Sequence, residues 1–336
     1  MPVSSVKQPW QLVADVGGTN ARFAVVDVES GSLCHVVYYS VAEHAIFADV
    51  LTEFCTHVSS AGCWAHTPQG ACLAVAGPVD DSVLKFTNSP WEIDANGIKA
   101  QLDGGPLHII NDFAAVGYAT PKLAADDYVQ LGGGAGNPTK PVAVLGPGTG
   151  LGVCAVVPCQ EQSVVIEAEG GHADYAPVDA QEIAVLNILL QRFGRVSYER
   201  LLSGAGILFT YQALAELALR EPAHERPEDV YQAAIDGSDT LAMRTLHLFC
   251  RILGSFAGNL ALTLGARGGV FIAGGIAPKV LSILQQSEFR NRFESKGRLR
   301  GFLADIPVRV ITAKNIGLKG AAAYLVQRGH SEYIRG

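Results

Sequence analysis

The sequence predicts an α/β protein of two similar domains, and three observations carry that prediction. Apolar strand-like and amphipathic helical segments alternate along the chain of 336 residues. A glycine turn joins two apolar strands near the N-terminus, at Asp15-Val16-Gly17-Gly18-Thr19. A second strand, glycine turn and strand recur in the middle of the chain at Gly146-Pro147-Gly148-Thr149-Gly150. Alternating strands and helices imply an α/β class. A repeated unit followed each time by further strand and helix segments implies a duplicated domain.

Taken in order, residues 12–27 read as strand, tight turn, strand, and residues 35–41 as a third strand. Residues 45–59 have helical periodicity, and 70–77 form a short buried strand. Residues 107–110 are another strand, with a helix starting just after Asn111-Asp112. Residues 141–157 repeat the strand–turn–strand pattern and 164–168 continue it. A long helical region covers about 180–266, interrupted near Gly194, Gly204, Pro222–Pro227 and Gly237, where glycine and proline punctuate. Residues 269–273 and 308–312 are strands, and 316–327 a closing helix. The glycine-rich segment 132–141 reads as the exposed boundary, giving domains 1–135 and 136–336, with the last helix free to return to the first.

Composition narrows the function classes. Apolar residues are 49% and charged residues 17% of the chain, as in a globular protein. The net charge is −7 and no Lys/Arg-rich run occurs, so neither nucleic acid nor an anionic membrane is an expected partner. The apolar stretch 241–266 contains Arg244, His247 and Arg251 and reads as a buried helix rather than a membrane span. The seven cysteines are scattered and form no C-x-x-C. They suggest neither zinc nor a disulfide framework, but reduced and mostly buried thiols in a cytosolic protein. Residues 1–10 show no apolar leader core.

Three glycine sites are candidate phosphate cradles. In the first, Gly17 and Gly18 bare the backbone N–H groups, Thr19 and Asn20 add donors, and Asp15 stands where a carboxylate holds Mg²⁺ through water. The second places Gly148, Thr149 and Gly150 between apolar strands. The third, Gly274-Gly275, ends a buried strand, where ligands bind in open α/β sheets. Each also fits a plain turn or hairpin. None is a Walker loop, because no Gly-Lys-Ser/Thr follows, and none is a dinucleotide fingerprint, because a strand rather than a helix follows the first turn.

The polar candidates are Asn111, Asp112, Glu169, His172 and Glu199. Asp112 lies between a strand and a helix, where it serves either as a general base or as a helix N-cap. Glu169 and His172 bracket two glycines and face either one ligand or solvent. Glu199 opens a helical turn and either accepts hydroxyls from a polyol or complements the helix dipole.

Six motifs occur in order: D-x-G-G-T-N-x-R at 15–22, N-D-F at 111–113, G-P-G-T-G-L-G at 146–152, E-G-G-H at 169–172, E-R-L-L-S-G at 199–204 and G-G-I at 274–276. Together they resemble the bacterial glucokinase family of the actin–hexokinase–Hsp70 superfamily, over nearly the whole chain. The resemblance implies two actin-like, ribonuclease H-like domains flanking a cleft. It implies ATP held by the first two turns, with adenosine near Gly274-Gly275. It also implies glucose held by Asn111, Asp112, Glu169, His172 and Glu199, Asp112 as catalytic base, Mg²⁺ arriving with ATP, and a homodimer. The related repressor–open-reading-frame–kinase sugar kinases carry a cysteine-rich zinc motif near the E-G-G-H-like segment. Here Ala-Asp-Tyr-Ala-Pro follows instead, so no structural zinc is expected. Two other readings stay open at this point: a kinase of the same fold for mannose, fructose or an amino sugar, and an actin- or Hsp70-like ATPase switch. The switch has no use for the Glu169, His172 and Glu199 set.

Overall fold

The computed structural model of the chain describes residues 7–77, 79, 83–85, 89–160 and 162–335. Residues 1–6, part of the segment read as lacking a leader core, lie outside the described residues. The chain divides into two compact units, residues 1–123 with 314–336, and residues 124–313.

The first unit is built on a five-stranded sheet. Strands β1 (Trp10–Val16), β2 (Asn20–Asp27) and β3 (Leu33–Ser40) form an antiparallel meander. Strands β4 (Ala71–Val75) and β7 (Leu107–Asn111) then add in parallel, giving the order β3-β2-β1-β4-β7. A small antiparallel pair, β5 (Val83–Lys85) and β6 (Glu92–Asp94), lies between them in sequence. The alternation of side chains along β1 splits the core in two. Trp10, Leu12, Ala14 and Val16 join a cluster with Phe47, Leu51 and Phe54 of the helix Phe47–Ser60. Val13 belongs to another cluster with Leu318, Ala321 and Leu325 of the closing helix, Ile316–Arg335. Burial on both faces is why these strands read as continuous apolar runs.

The second unit repeats the plan. Strands β9 (Val142–Pro147), β10 (Leu151–Cys159) and β11 (Gln162–Ala168) form the meander. Strands β12 (Gly269–Ile272) and β13 (Val308–Ile311) add in parallel. An extra antiparallel edge strand, β8 (Tyr128–Gln130), completes the order β11-β10-β9-β12-β13-β8. The repeat of the glycine turn is therefore a repeat of a whole sheet topology. The long helical region resolves into Ala180–Phe193, Gly204–Leu217, Pro227–Ile235 and Thr240–Leu264. Local chemistry sets these ends. Asp179, Ser203 and Asp239 cap three N-termini, Pro227 occupies a first-turn position, and Gly265 ends the last helix in the left-handed region. Helix Thr240–Leu264 is long and apolar enough to cross a membrane. Leu246, Phe249, Leu253 and Phe256 bury that apolar surface in the core of the second unit instead, each stabilising by about 1.5–3 kcal/mol.

Two expectations need correction. The domain division drawn at 135/136 falls instead between Leu123 and Ala124. The reason is β8, which pairs with β13 and draws the segment after it into the second unit. The glycine loop that follows is stitched down by Gly134 N–H donating to Asp305 O and Asn137 N–H donating to Arg267 O. The thiols are also less buried than expected: Cys72, Cys154 and Cys250 are buried, Cys34 and Cys55 half-buried, and Cys63 and Cys159 exposed. Burial raises the Cys72 thiol pKa and pushes that of Cys250 up to about 12, and thiols react as thiolates. Under native conditions an alkylating reagent is expected to modify Cys63 and Cys159 first, with Cys72 and Cys250 reacting only on unfolding. Peptide mass mapping after timed quenching checks this order.

Candidate active site

In the first unit the polar candidates collect at the ends of parallel strands. Asp15 stands near the end of β1, directly across the hairpin from Arg22. Its carboxylate accepts a hydrogen bond from Arg22 Nη1 at 2.8 Å. Gly317, in the first turn of the closing helix, makes room for it: a Cβ there would lie 2.7 Å from Asp15 Cγ. Gly17 N–H donates to Asn20 O across the turn, and Val41 N–H donates to Thr19 O, so the loop is tied at both sides. The Thr19 and Asn20 side chains remain exposed.

Burial pushes the Asp15 pKa above its ordinary value of 3.8, and Arg22 opposes the shift. The sign follows from linkage. A carboxyl whose folded pKa is raised supports folding while protonated, and that support is lost as pH rises through the raised value. Above its raised pKa the ionised Asp15 therefore costs stability. Asp15→Asn is expected to melt at a higher temperature than the parent at pH 7, with the difference vanishing as pH falls below 3.8. Parallel melts across that pH range check it.

Asn111 ends β7 and begins the helix Asp112–Ala119. Its Oδ1 accepts from Phe113 N at 2.8 Å and Ala114 N at 3.1 Å. The N-cap role left open for Asp112 thus belongs to Asn111. Asp112 is the first helical residue and is half-buried, with its carboxylate not required to cap the helix.

In the second unit the candidates converge on the second glycine turn. Glu199 sits in a short 3₁₀ turn, Tyr198–Arg200. Its Oε2 accepts from Leu151 N at 2.9 Å, just beyond the turn. Gly150 permits this approach, since a Cβ there would lie 2.7 Å from the same oxygen. The carboxylate therefore serves a distant backbone rather than the dipole of its own turn. Another 3₁₀ turn, Gly170–His172, carries the histidine between two carboxylates. His172 Nε2 is 3.9 Å from Glu169 Oε2, and Nδ1 is 4.0 Å from Glu199 Oε1. These separations exceed hydrogen-bond length. Glu169 is 86% and His172 56% exposed, against 30% for Glu199. The three are assembled, but only Glu199 is held firmly.

The third glycine site adjoins the second. Gly274 has φ of +80°, and a Cβ there would lie 2.4 Å from Pro147 O, so only glycine fits. Ile276 N–H also donates to Pro147 O. Gly148 O accepts from Gly204 N, which brings the start of helix Gly204–Leu217 to the same turn. The Gly148–Gly150 and Gly274–Gly275 backbones thus meet at the C-terminal ends of β9 and β12, where α/β sheets bind ligands. Thr149 is exposed at the tip of its turn.

The sequence model of the glucokinase family matches residues 12–328. The chain belongs to the glucokinase family. It is 42% identical over 319 residues to a glucokinase of Hahella chejuensis, covering 95% of this chain and 98% of that one. It is 43% identical over 321 residues to a glucokinase of Tolumonas auensis, covering 94% and 97%. Among solved structures it superposes on a glucokinase from an Antarctic psychrotroph with a TM-score of 0.85 at 35% identity, covering 94% and 98% of the two chains. The glucokinase of Balamuthia mandrillaris, solved in complex with glucose, shares the fold with a TM-score of 0.76 at 23% identity, covering 97% and 96%. Both units have the actin-like topology of these sugar kinases.

Sequence reasoning missed two supports of this site. Arg195 Nε donates to Asp174 Oδ1 at 2.8 Å and its Nη2 donates to His172 O, bracing the histidine turn. Gly317 makes space for Asp15 from the other end of the chain. Neither belongs to a glycine turn or carboxylate motif, and their only signal was position beside one.

Proposed function

We propose that this chain phosphorylates D-glucose at its 6-hydroxyl, consuming ATP and releasing glucose 6-phosphate, ADP and a proton. The observation that supports it best is the shared carboxylate of Glu199. One of its oxygens rests on the backbone of a glycine turn suited to phosphate, and the other faces His172 and, beyond it, Glu169. Such a carboxylate couples a polyol-binding set to a phosphate-binding loop, which an ATPase switch does not need.

In this reading Asp112 accepts the proton of the attacking hydroxyl, and Asn111, Glu169, His172 and Glu199 orient the sugar. The backbones at Gly17, Gly18, Gly148 and Gly150, with Thr19, Asn20 and Thr149, hold the phosphates, and Gly274-Gly275 borders the adenosine. Asp15 would hold Mg²⁺ brought with ATP, which would supply neutralisation of the charge developing on the phosphates. Asp15 suits that ion: it is a desolvated carboxylate at a strand end, paired with one arginine. A cytoplasmic location and a homodimer, checked by fractionation and light scattering, belong to the same proposal.

The test separates the two substrates. Glu169→Gln and His172→Ala are expected to raise the KM for glucose about tenfold or more and leave that for ATP within about twofold, because an unmatched polar group in the sugar site costs about 1–3 kcal/mol. Glu199→Ala is expected to raise both, since it also frees the Leu151 backbone. A coupled assay with glucose, mannose, fructose and glucosamine reads both constants and the preferred hexose. Unchanged glucose KM in all three variants overturns the site.

A further inference from the structure

Behind Glu199 and His172 lies a partly buried polar cluster that the reaction does not use. Tyr198, adjacent to Glu199, is 4% exposed, and its hydroxyl accepts from Asn259 Nδ2 at 3.0 Å. Asn259 Oδ1 in turn accepts from Lys296 Nζ at 2.7 Å, and the same ammonium donates to Ser255 O at 3.1 Å. Burial lowers the Lys296 pKa, and Arg292 adds to the effect. Tyr175, three residues after His172, packs edge-on against the Tyr198 ring with centroids 5.6 Å apart. Its hydroxyl donates at 2.9 Å to Glu182, which is 1% exposed and is also paired with Arg292.

The backbones of the two turns are laced together above this cluster. Tyr198 N–H donates to Ala173 O, and Tyr175 N–H donates to Val196 O. The segments carrying His172 and Glu199 are thus joined through their backbones and stand on two tyrosines, one bonded to the buried Glu182 carboxylate and the other linked through Asn259 to the half-buried Lys296 ammonium. Among the described residues the Glu169 and His172 side chains meet only each other and Glu199, at 3.9 and 4.0 Å, so their placement follows from their turn, which Arg195 braces on one side and this base on the other. Buried polar networks are costly unless fully satisfied, and when satisfied they specify a single geometry.

We propose that Tyr198 and Asn259 are positioning residues for the sugar site: the Tyr198–Asn259–Lys296 chain sets the position of Glu199 and, through the laced backbone, of His172. This rests on the reading of Glu199 and His172 as sugar ligands. A binding group displaced by about 1 Å no longer meets its partner hydroxyl. The chain therefore controls glucose affinity without touching glucose.

Tyr198→Phe tests it, because the ring and its packing stay while the hydroxyl alone is lost. Asn259→Leu is a second variant that breaks the chain from the other side. Glucose affinity is read by calorimetry, both KM values by coupled assay, and folding by circular dichroism and melting. The expected result is a glucose Kd and KM raised about tenfold in both variants, with kcat and the KM for ATP within about twofold. Glucose constants within twofold of the parent, with only the melting temperature lowered, overturn the proposal and make the cluster merely structural. Equal rises in both KM values overturn it too, since they mark general damage. Glu199→Gln run alongside separates the two readings. If it weakens glucose and Tyr198→Phe does not, only the positioning role falls. If neither does, the sugar site and the positioning role fall together.

Discussion

Replacing Asp112 by asparagine is expected to lower kcat by about 10²-fold or more while glucose still binds. A sugar hydroxyl is a weak nucleophile until it loses its proton, and a carboxylate placed to accept that proton is what the substitution removes. The N-cap of the helix does not depend on this carboxylate. The helix Asp112–Ala119 is capped by Asn111 through Phe113 N and Ala114 N, so its N-terminus stays closed when residue 112 loses its charge. Asparagine keeps the shape and most of the hydrogen-bonding capacity. The melting temperature should therefore stay close to that of the parent while turnover collapses. Steady-state kinetics with calorimetry for glucose reads both quantities. Near-normal turnover would remove Asp112 from the chemistry and leave it as a first-turn carboxylate serving the helix dipole.

The second large effect is on folding, and its sign is opposite to what helix propensity suggests. Gly320 lies inside the closing helix, where alanine ordinarily stabilises by roughly 0.5–1 kcal/mol. Here a Cβ would come within 1.7 Å of Ala115 O, on the helix that starts with Asp112. The obstacle is backbone, so no rotamer relieves it, and the two helices have to separate. Gly320→Ala is expected to destabilise by about 2 kcal/mol or more, lowering the melting temperature by several degrees. Gly329 lies further along the same helix, and a Cβ added there would meet nothing within 4 Å. Gly329→Ala is expected to leave stability unchanged or slightly higher. Thermal melts of the pair decide it, and equal effects at both positions would mean that the close helix crossing does not matter.

These cases show where the sequence was legible. Strand, turn and helix segments were readable because the central strands of both sheets are buried on two faces and because glycine, proline and polar caps punctuate the helices. Short elements were not: β5, β6 and β8 have three residues each, too few for a periodic pattern. The closing helix was read to residue 327 and runs to Arg335. After Gln327 come Arg328, Gly329, His330, Ser331 and Glu332, a polar run that interrupts the apolar stripe before Tyr333 and Ile334.

By itself the sequence determined the fold class, the duplicated glycine turn and the family, because each depends on residue type and local order. The identity of the candidate residues also came from there, since carboxylates, a histidine and bare glycine backbones declare their chemistry wherever they lie. Only the tertiary structure decided which backbone groups Asn111 and Glu199 serve. Asn111 rather than Asp112 caps the helix because its side chain reaches the two free N–H groups. Glu199 serves the backbone of Leu151, 48 residues away. Gly317 and Gly320 meet Asp15 and Ala115 across some 200 to 300 positions. Contacts between residues so far apart are set by how the sheets and helices pack, and a one-dimensional pattern carries no record of them.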